Sequence, residues 1–456
     1  MNLPDTIYRL SPVWLQNTLV SLYGWKQYRR RYTGNFSSIL EAIEEANAFK
    51  SKDIQELQAN KLQNIIQHAA ENTPFYSNLF AEHGISATEI KTPDDLQRIP
   101  VLQKQLVREN PDLFRARGSQ RYLTQNTSGS TGTPLSLEVD EKTYKTAMAL
   151  VVNHEQSHGV NFGERRATLA GRMLKPIDDN KPPFSRFNKA ENQLLVSSYH
   201  INENNFRSYE SELNAFQPRL LIGYPSAIYD LASEYQAQKT TPGFNPAIIV
   251  TNSETLTERQ RETIESVFKC RVFDYYGTAE YLVFASQCIH HGYHIDPTLG
   301  ILEITTSSGT PVVDRPGNVV ATTLCNYAMP LIRYQIGDRA TLSSTPCDCG
   351  NTHPHLSSIE GRIDDVILTK DDKRIGRIDH IFKGLSGIRE AQVIQESLER
   401  CQISVVAAGK QECVDVDALI KNMKARVGSN MHVKVVFTES IPKAANGKFK
   451  SVINQM

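Results

Sequence analysis

The 456-residue sequence has no uninterrupted apolar run of the roughly 18 residues needed to cross a bilayer, so no membrane span is expected. It has no excess of charge either. Fifty Lys and Arg balance fifty Asp and Glu, with the basic residues spread along the chain. That balance argues against a nucleic-acid or membrane surface as the main partner. Cysteine is sparse, at seven, an odd number, and the N-terminal stretch MNLPDTIYRLSPVWLQ lacks a basic-then-apolar secretory signal. A disulfide framework is therefore not expected, and a reducing cytoplasm is the expected location. Internal repeats and low-complexity tracts are missing too. With 40% hydrophobic and 22% charged residues, the composition is that of a globular chain long enough for two or more domains.

Local patterning sorts the chain into regions. Leu40, Ile43, Leu57, Leu62, Ile65 and Ile66 recur at helical spacing and predict two helices, or one broken helix, over 36–70. From about residue 166 short apolar runs follow: RATLAG, RLLIGY (219–224), AIIVTN (247–252) and CRVFDYYG (270–277). Helix-like segments at 226–238 and 257–269 separate the last three, the pattern of parallel βαβ units. Between 300 and 345 the runs GILEITT, NVVATTL and DRATLSS lie close together and predict a more antiparallel region. After EGRIDD comes a small βαβ-like unit, with strands EAQVIQE, QISVVAA and HVKVVFT and a helix near 415–427. The final PKAANGKFKSVINQM reads as a mobile loop. The expected fold class is α/β: a large N-terminal domain of mixed α/β layers over 1–361 and a small mobile C-terminal α+β domain over 362–456.

The chemistry starts at TQNTSGSTGTPLSLEVD, Thr124 to Asp140, where Thr127 to Pro134 are only Thr, Ser, Gly and Pro. Between a strand and a helix, such a loop can cradle phosphate with backbone N–H groups, helped by the helix N-terminus. It is not a Walker A loop, lacking the GK[ST] ending, nor a G-x-G-x-x-G fingerprint. Four further stretches follow in order: DYYGTAE (274–280), IRYQIGD (332–338), EGRIDD (360–365) and ANGKFK (445–450). With the loop, this set resembles the adenylate-forming superfamily of acyl-CoA synthetases, luciferases and peptide-synthetase adenylation domains. ENTPFYSNLF (71–80), IPVLQK (99–104), PPFSRFNKAENQLLVSSYH (182–200) and IGYPSAI (222–228) resemble its phenylacetate–CoA ligase branch, and there the ligase-like proteins of capsular polysaccharide clusters. The resemblance spans nearly the whole chain.

The resemblance implies an ATP-dependent, AMP-forming ligase acting in two steps. A carboxylate attacks the α-phosphate of ATP to give an acyl-adenylate, and an acceptor then displaces AMP. By that resemblance Thr127, Ser128, Gly129, Ser130, Thr131 and Gly132 would cradle the β- and γ-phosphates, with Thr131 counted among the catalytic groups. Leu135 stands where many relatives carry Lys. Tyr276 would stack on adenine, with Gly277 and Thr278 beside it, and Ser253 and Glu254 would follow the adenine-side strand. Glu280 would hold Mg²⁺, a hard ion suited to carboxylate oxygen. Asp338 would bind the ribose hydroxyls, Arg362 would touch the nucleotide, and Asp364 would be the hinge. Lys448 would reach the α-phosphate, with Lys450 and Lys443 as alternatives. Arg172, Lys175 and Arg186 lie in a stretch that can line an acyl pocket. The acceptor stays open between CoA, a carrier thiol and an amine, as does a homodimer.

Two metal signals stand apart. The C-x-C pair in CDCG (347–350) suits metal, and the upstream CIHHGYHID supplies partners. Cys288, His294, Cys347 and Cys349 would form a closed, structural Zn²⁺ site, with His290 or His291 as substitutes for His294. Zinc-bearing members of the resembling branch have a similar arrangement. HEQSH (154–158) fits H-E-x-x-H, but no His stands at the metzincin position and Glu164 is too close to be the further ligand. It is read as coincidence. The rival readings are a nucleotide-binding protein without ligase activity and a zinc hydrolase using HEQSH.

Overall fold

The computed structural model describes residues 8, 11–126, 135–176, 179–362, 367–370, 374–375, 378–382, 385–444 and 448–456. A twelve-stranded sheet organises the larger part. Its middle is parallel, in the spatial order Val272–Gly277, Ile248–Asn252, Leu220–Gly223, Arg166–Ala170 and Gln193–Ser197. The first four are the apolar runs of the sequence, Gln193–Ser197 is not among them, and Leu220–Gly223 is buried along its whole length, as a strand covered on both faces must be. Beyond Val272–Gly277 the sheet turns antiparallel through Phe284–Gln287, Tyr293–Ile295, His355–Arg362, Tyr334–Leu342, Gly317–Thr323 and Gly300–Thr305.

Helices Phe206–Phe216, Pro225–Ala237 and Glu258–Phe268 cover one face of the parallel block through Tyr209, Leu213, Ile228, Leu231 and Ile264. Local signals fix where they start. Pro225 sits in the first turn of its helix, and Thr257 and Gln260 form a capping box. Helix Glu141–Ser157, capped by Asp140 accepting from Thr143 N–H, packs with Phe36–Ala46 against Phe284 where the sheet turns antiparallel. The periodic stretch at 36–70 is indeed two helices, Phe36–Ala46 and Ser51–Asn72.

Two expectations change. The small-residue loop joins two antiparallel strands, Leu123–Asn126 and Ser136–Val139, rather than a strand and a helix. Leu135, Leu137 and Val139 are buried at a period of two, which makes the second strand and delays the helix to Glu141. The terminal segment is not all loop. Val452–Asn454 forms a strand parallel to Val393–Gln395, with Val452 in the core.

The smaller part has its own four-stranded sheet, in the order His432–Phe437, Arg400–Ala407, Ile388–Ser397 and Val452–Asn454. Helix Val416–Val427 connects the parallel pair Arg400–Ala407 and His432–Phe437 and buries Leu419 and Met423.

Gly223 ends a central parallel strand where the chains crowd. A Cβ there would lie 1.9 Å from the Leu169 carbonyl oxygen, which also accepts from Tyr224 N–H at 2.9 Å. Backbone cannot yield as a flexible side chain can. Gly223→Ala is expected to destabilise the protein by about 1–3 kcal/mol or more, read as a lower urea midpoint. An unchanged midpoint would show that the strands have slack there.

Candidate active site

The carboxyl ends of the parallel strands converge on one edge, where ligands bind in open α/β sheets. Gly171, Tyr224, Ser253 and Gly277 are the residues at or just past four of these ends. Ser253 adopts φ +71°, a left-handed turn that redirects the chain into Glu254. Its hydroxyl donates to Asn252 Oδ1 at 2.8 Å. Glu254 accepts Ser226 N–H at 3.1 Å and, from the far end of the chain, Phe449 N–H at 2.7 Å. Burial pushes its carboxyl above the usual range, while these donors pull the other way.

Phe449 brings Lys448 with it. Lys448 Nζ lies 5.9 Å from the Tyr224 ring centroid. Burial lowers its ammonium pKa; Glu254 opposes that shift, Arg362 adds to it and Asp338 opposes it. Those residues form one electrostatic cluster. Asp338 and Arg362 are cross-strand partners in register, joined Nε to Oδ1 at 3.0 Å. Tyr276 O–H donates to Asp338 Oδ2 at 2.6 Å. Burial and then Asp338 hold the Tyr276 phenol well above its ordinary pKa, so it remains a donor.

Glu280 is buried and meets Lys104 Nζ at 3.0 Å and Tyr334 O–H at 3.3 Å, both on Oε1. Lys104 is separated from it by 176 residues, and nothing in the sequence paired them except that IPVLQK ends on this lysine. Thr278 closes the turn before Glu280, accepting Leu282 N–H on its hydroxyl at 3.3 Å. A Cβ on Gly277 would meet nothing nearer than 3.7 Å, so packing within the protein does not demand glycine there. Thr127, Ser128, Gly129, Ser130, Thr131, Gly132 and the hinge candidate Asp364 lie outside the described residues. Of the alternative lysines, Lys443 is committed to Asp230, at 2.8 Å, and to the Ser198 carbonyl, at 3.4 Å. The Lys450 carbonyl accepts from Gln392 Nε2 at 2.8 Å within the small sheet.

The four cysteine and histidine candidates come together. The donor atoms of Cys288, His294, Cys347 and Cys349 all lie within 4.8 Å of one another. Cys288 Sγ is 3.6 Å from Cys347 Sγ, and Cys349 Sγ is 3.1 Å from His294 Nε2. A tetrahedral zinc with bonds of about 2.3 Å to sulfur sets sulfurs roughly 3.8 Å apart, so the donor set fits that ion. His294 Nδ1 faces the His353 carbonyl at 3.3 Å, the outer contact that fixes a ligating imidazole.

The chain is similar to known proteins over most of its length. Residues 367–455 match the family described as CapK C-terminal domain. Protein CapK of Staphylococcus aureus is 26% identical over 455 residues, covering 99% of both chains. Phenylacetate-coenzyme A ligase of Thermus thermophilus is 24% identical, covering 72% of this chain and 74% of that one. The crystal structure of 2-hydroxyisobutyryl-CoA ligase in the postadenylation state with 2-HIB-AMP superposes with a TM-score of 0.69 at 19% identity, covering 89% and 90% of the two chains. The chain is similar to CapK along its whole length and to a phenylacetate-coenzyme A ligase over about three quarters of it. Its architecture is the adenylate-forming fold, a large N-terminal part and a small C-terminal part.

HEQSH is a packing element. Glu155 is buried against Arg166, at 3.2 Å Oε2 to NH2, and so is not available as a base. His158 stacks on Phe273 with ring centroids 3.6 Å apart. Of the candidate pocket cations, Lys175 pairs with Asp179 at 3.3 Å and Arg186 donates to the Pro183 carbonyl at 3.1 Å. Arg172 lines a cavity of about 220 Å³ between helix Val13–Tyr32 and the sheet.

Burial lowers the His154 pKa to about 3, with His158 adding to the shift. An unfolded chain binds that proton near pH 6.5, so protonation favours unfolding. The His154 contribution is intact above about pH 6.5 and is lost as pH falls toward 3. His154→Leu should therefore lose about 2–3 kcal/mol less stability than the wild type between neutral pH and about pH 4.5. Parallel urea-midpoint curves for the two proteins would refute this.

Proposed function

We propose that the protein is an ATP-dependent, AMP-forming ligase that converts a carboxylic acid to an acyl-adenylate and passes the acyl group to a thiol or amine. The observation that carries this reading is the closure of the terminal segment over the strand ends. Glu254 holds Phe449, and Lys448 stands over Tyr224 within the field of Asp338 and Arg362. In the first half-reaction the acid's oxygen attacks the α-phosphorus, the bond to the bridging oxygen breaks, and pyrophosphate leaves. Negative charge builds on the α-phosphate oxygens, where the Lys448 ammonium would neutralise it. Asp338, oriented by Tyr276 and Arg362, keeps lone pairs for two ribose hydroxyls. The Tyr276 ring, fixed beside it, would take adenine, with Gly277 and Thr278 below.

Glu280 would hold Mg²⁺ through a carboxylate that Lys104 already half neutralises. The ion would shield the departing pyrophosphate, as would the N–H groups of Thr127–Gly132. In the second half-reaction the small domain, residues 362–456, would turn about Asp364 and withdraw Lys448. The phenylacetate-coenzyme A ligases among the relatives are named for coenzyme A, so CoA is the first acceptor to test. Carrier thiols and amines come next, because the segment after the hinge departs from the Gly-containing pattern of that branch.

Lys448→Ala is expected to slow acyl-adenylate formation by ~10²–10³-fold, while acyl transfer from supplied acyl-adenylate stays within a few-fold of wild type. Assaying the two half-reactions separately tests this. Equal damage to both, in folded protein, would remove Lys448 as a step-specific catalyst.

The Cys288, His294, Cys347 and Cys349 cluster lies away from Lys448 in the antiparallel region and is proposed as a structural zinc site. Protein prepared without chelator should carry about one zinc, and Cys347→Ser should lose it. Zinc that survives Cys347→Ser but disappears with His158→Ala would return HEQSH to consideration.

A further inference from the structure

Helix Val13–Tyr32 carries much of its apolar surface outward. Its contacts with the edge of the large sheet are polar, while Tyr28 and Tyr32 near its C-terminal end pack on Phe162. Asn17 Oδ1 accepts Phe187 N–H at 3.1 Å, and Ser21 Oγ donates to the Phe187 carbonyl at 3.3 Å. Gly24 lies so close to the edge strand Ser185–Asn188, antiparallel to Gln193–Ser197, that a Cβ would sit 2.0 Å from Asn188 Oδ1. These contacts satisfy an edge strand that would otherwise present bare backbone.

The outward side carries the apolar residues. Trp14 is 68% exposed, Trp25 50%, Leu22 62% and Leu19 37%. At about 100° per residue, Trp14, Trp25, Thr18, Arg29 and Leu22 fall within roughly an 80° arc. Lys26 and Leu19 extend it. The Arg29 guanidinium lies 3.8 Å from the Trp25 ring centroid. The neutral total of the chain conceals a local excess: residues 6–40 hold five Lys and Arg and no Asp or Glu. Arg30 and Arg31 of that set turn inward to Tyr122 and Glu191, whereas Lys26 and Arg29 are exposed.

We propose that this face docks on an anionic lipid surface. Exposed Trp and Leu, flanked by basic side chains and no acid, match the chemistry of the headgroup region. Indole rings settle there, and each cation gains from anionic lipid. Nothing spans the bilayer: among the described residues no helix is long and apolar enough. The helix would lie in the interface plane.

Trp14 and Trp25 are the only tryptophans in the sequence, so intrinsic tryptophan fluorescence reports this helix alone. The full-length protein is titrated with vesicles of phosphatidylcholine containing about a third phosphatidylglycerol, and co-sedimentation is measured in parallel. The expected result is a blue shift with co-sedimentation, both weakened by salt. Lys26→Glu with Arg29→Glu should weaken vesicle binding by at least ~10-fold, and Leu22→Glu should weaken it while leaving ATP–pyrophosphate exchange unchanged. Unmoved emission with the protein left in the supernatant at low salt overturns the proposal. So does a blue shift that grows with protein concentration in buffer alone, which would assign the face to a second copy of the chain.

Discussion

A carboxylate taken out of water needs donors around it, and Glu254 draws its two from opposite ends of the fold. One is Ser226, 28 residues before it, at the start of the helix that follows a central strand; the other is Phe449, 195 residues after it. A hydrogen bond to a charged group contributes about 1.5–3 kcal/mol, so the same anion organises both the strand edge and the segment that carries Lys448. The remaining contacts follow from that closure. Lys443 meets Asp230, and Lys448 enters the field of Asp338 and Arg362. Loss of the Glu254 carboxylate would leave two backbone N–H groups and a lysine with no common point.

Charge is distributed around the strand ends in compensated pairs. Asp338 faces Arg362, Glu280 faces Lys104, and Asp230 faces Lys443. Each anion is held by a cation from a different stretch of chain. The carboxylates at the strand ends thus carry charge that is already partly cancelled, which lowers the repulsion that any anionic group would meet there.

The sequence displayed what is periodic and what is close in spacing. The parallel block was legible because fully buried strands read as continuous apolar runs, and the two helices of 36–70 because Ile43, Leu62, Ile65 and Ile66 all face a core. The Cys-x-Cys pair announced its cluster because spacing that tight leaves little freedom. Short elements with distant partners were not legible. Val452–Asn454 is three residues long and gains its identity only by pairing with Val393–Gln395. Ser136–Val139 hid the true setting of the phosphate-loop candidate in the same way. Lys104 and Glu280 meet across 176 residues, beyond any local pattern. HEQSH shows the opposite failure, since a motif carries no record of burial: its glutamate is neutralised by Arg166 and its first histidine is sealed among aromatic rings. Helix Val13–Tyr32 escaped a core-facing pattern because its apolar residues face outward.

The strand Val452–Asn454 begins only four positions after Lys448 and is stitched into the small sheet. A tether that short keeps the Lys448 backbone with the small sheet, so a large displacement of that backbone would carry the four-stranded sheet with it, and rigid movements of that size run in microseconds to milliseconds, against picoseconds to nanoseconds for a side-chain rotamer. The pace of any such displacement would be set by the contacts of some ninety residues, the span of the 367–455 family match, rather than by the freedom of one ammonium group.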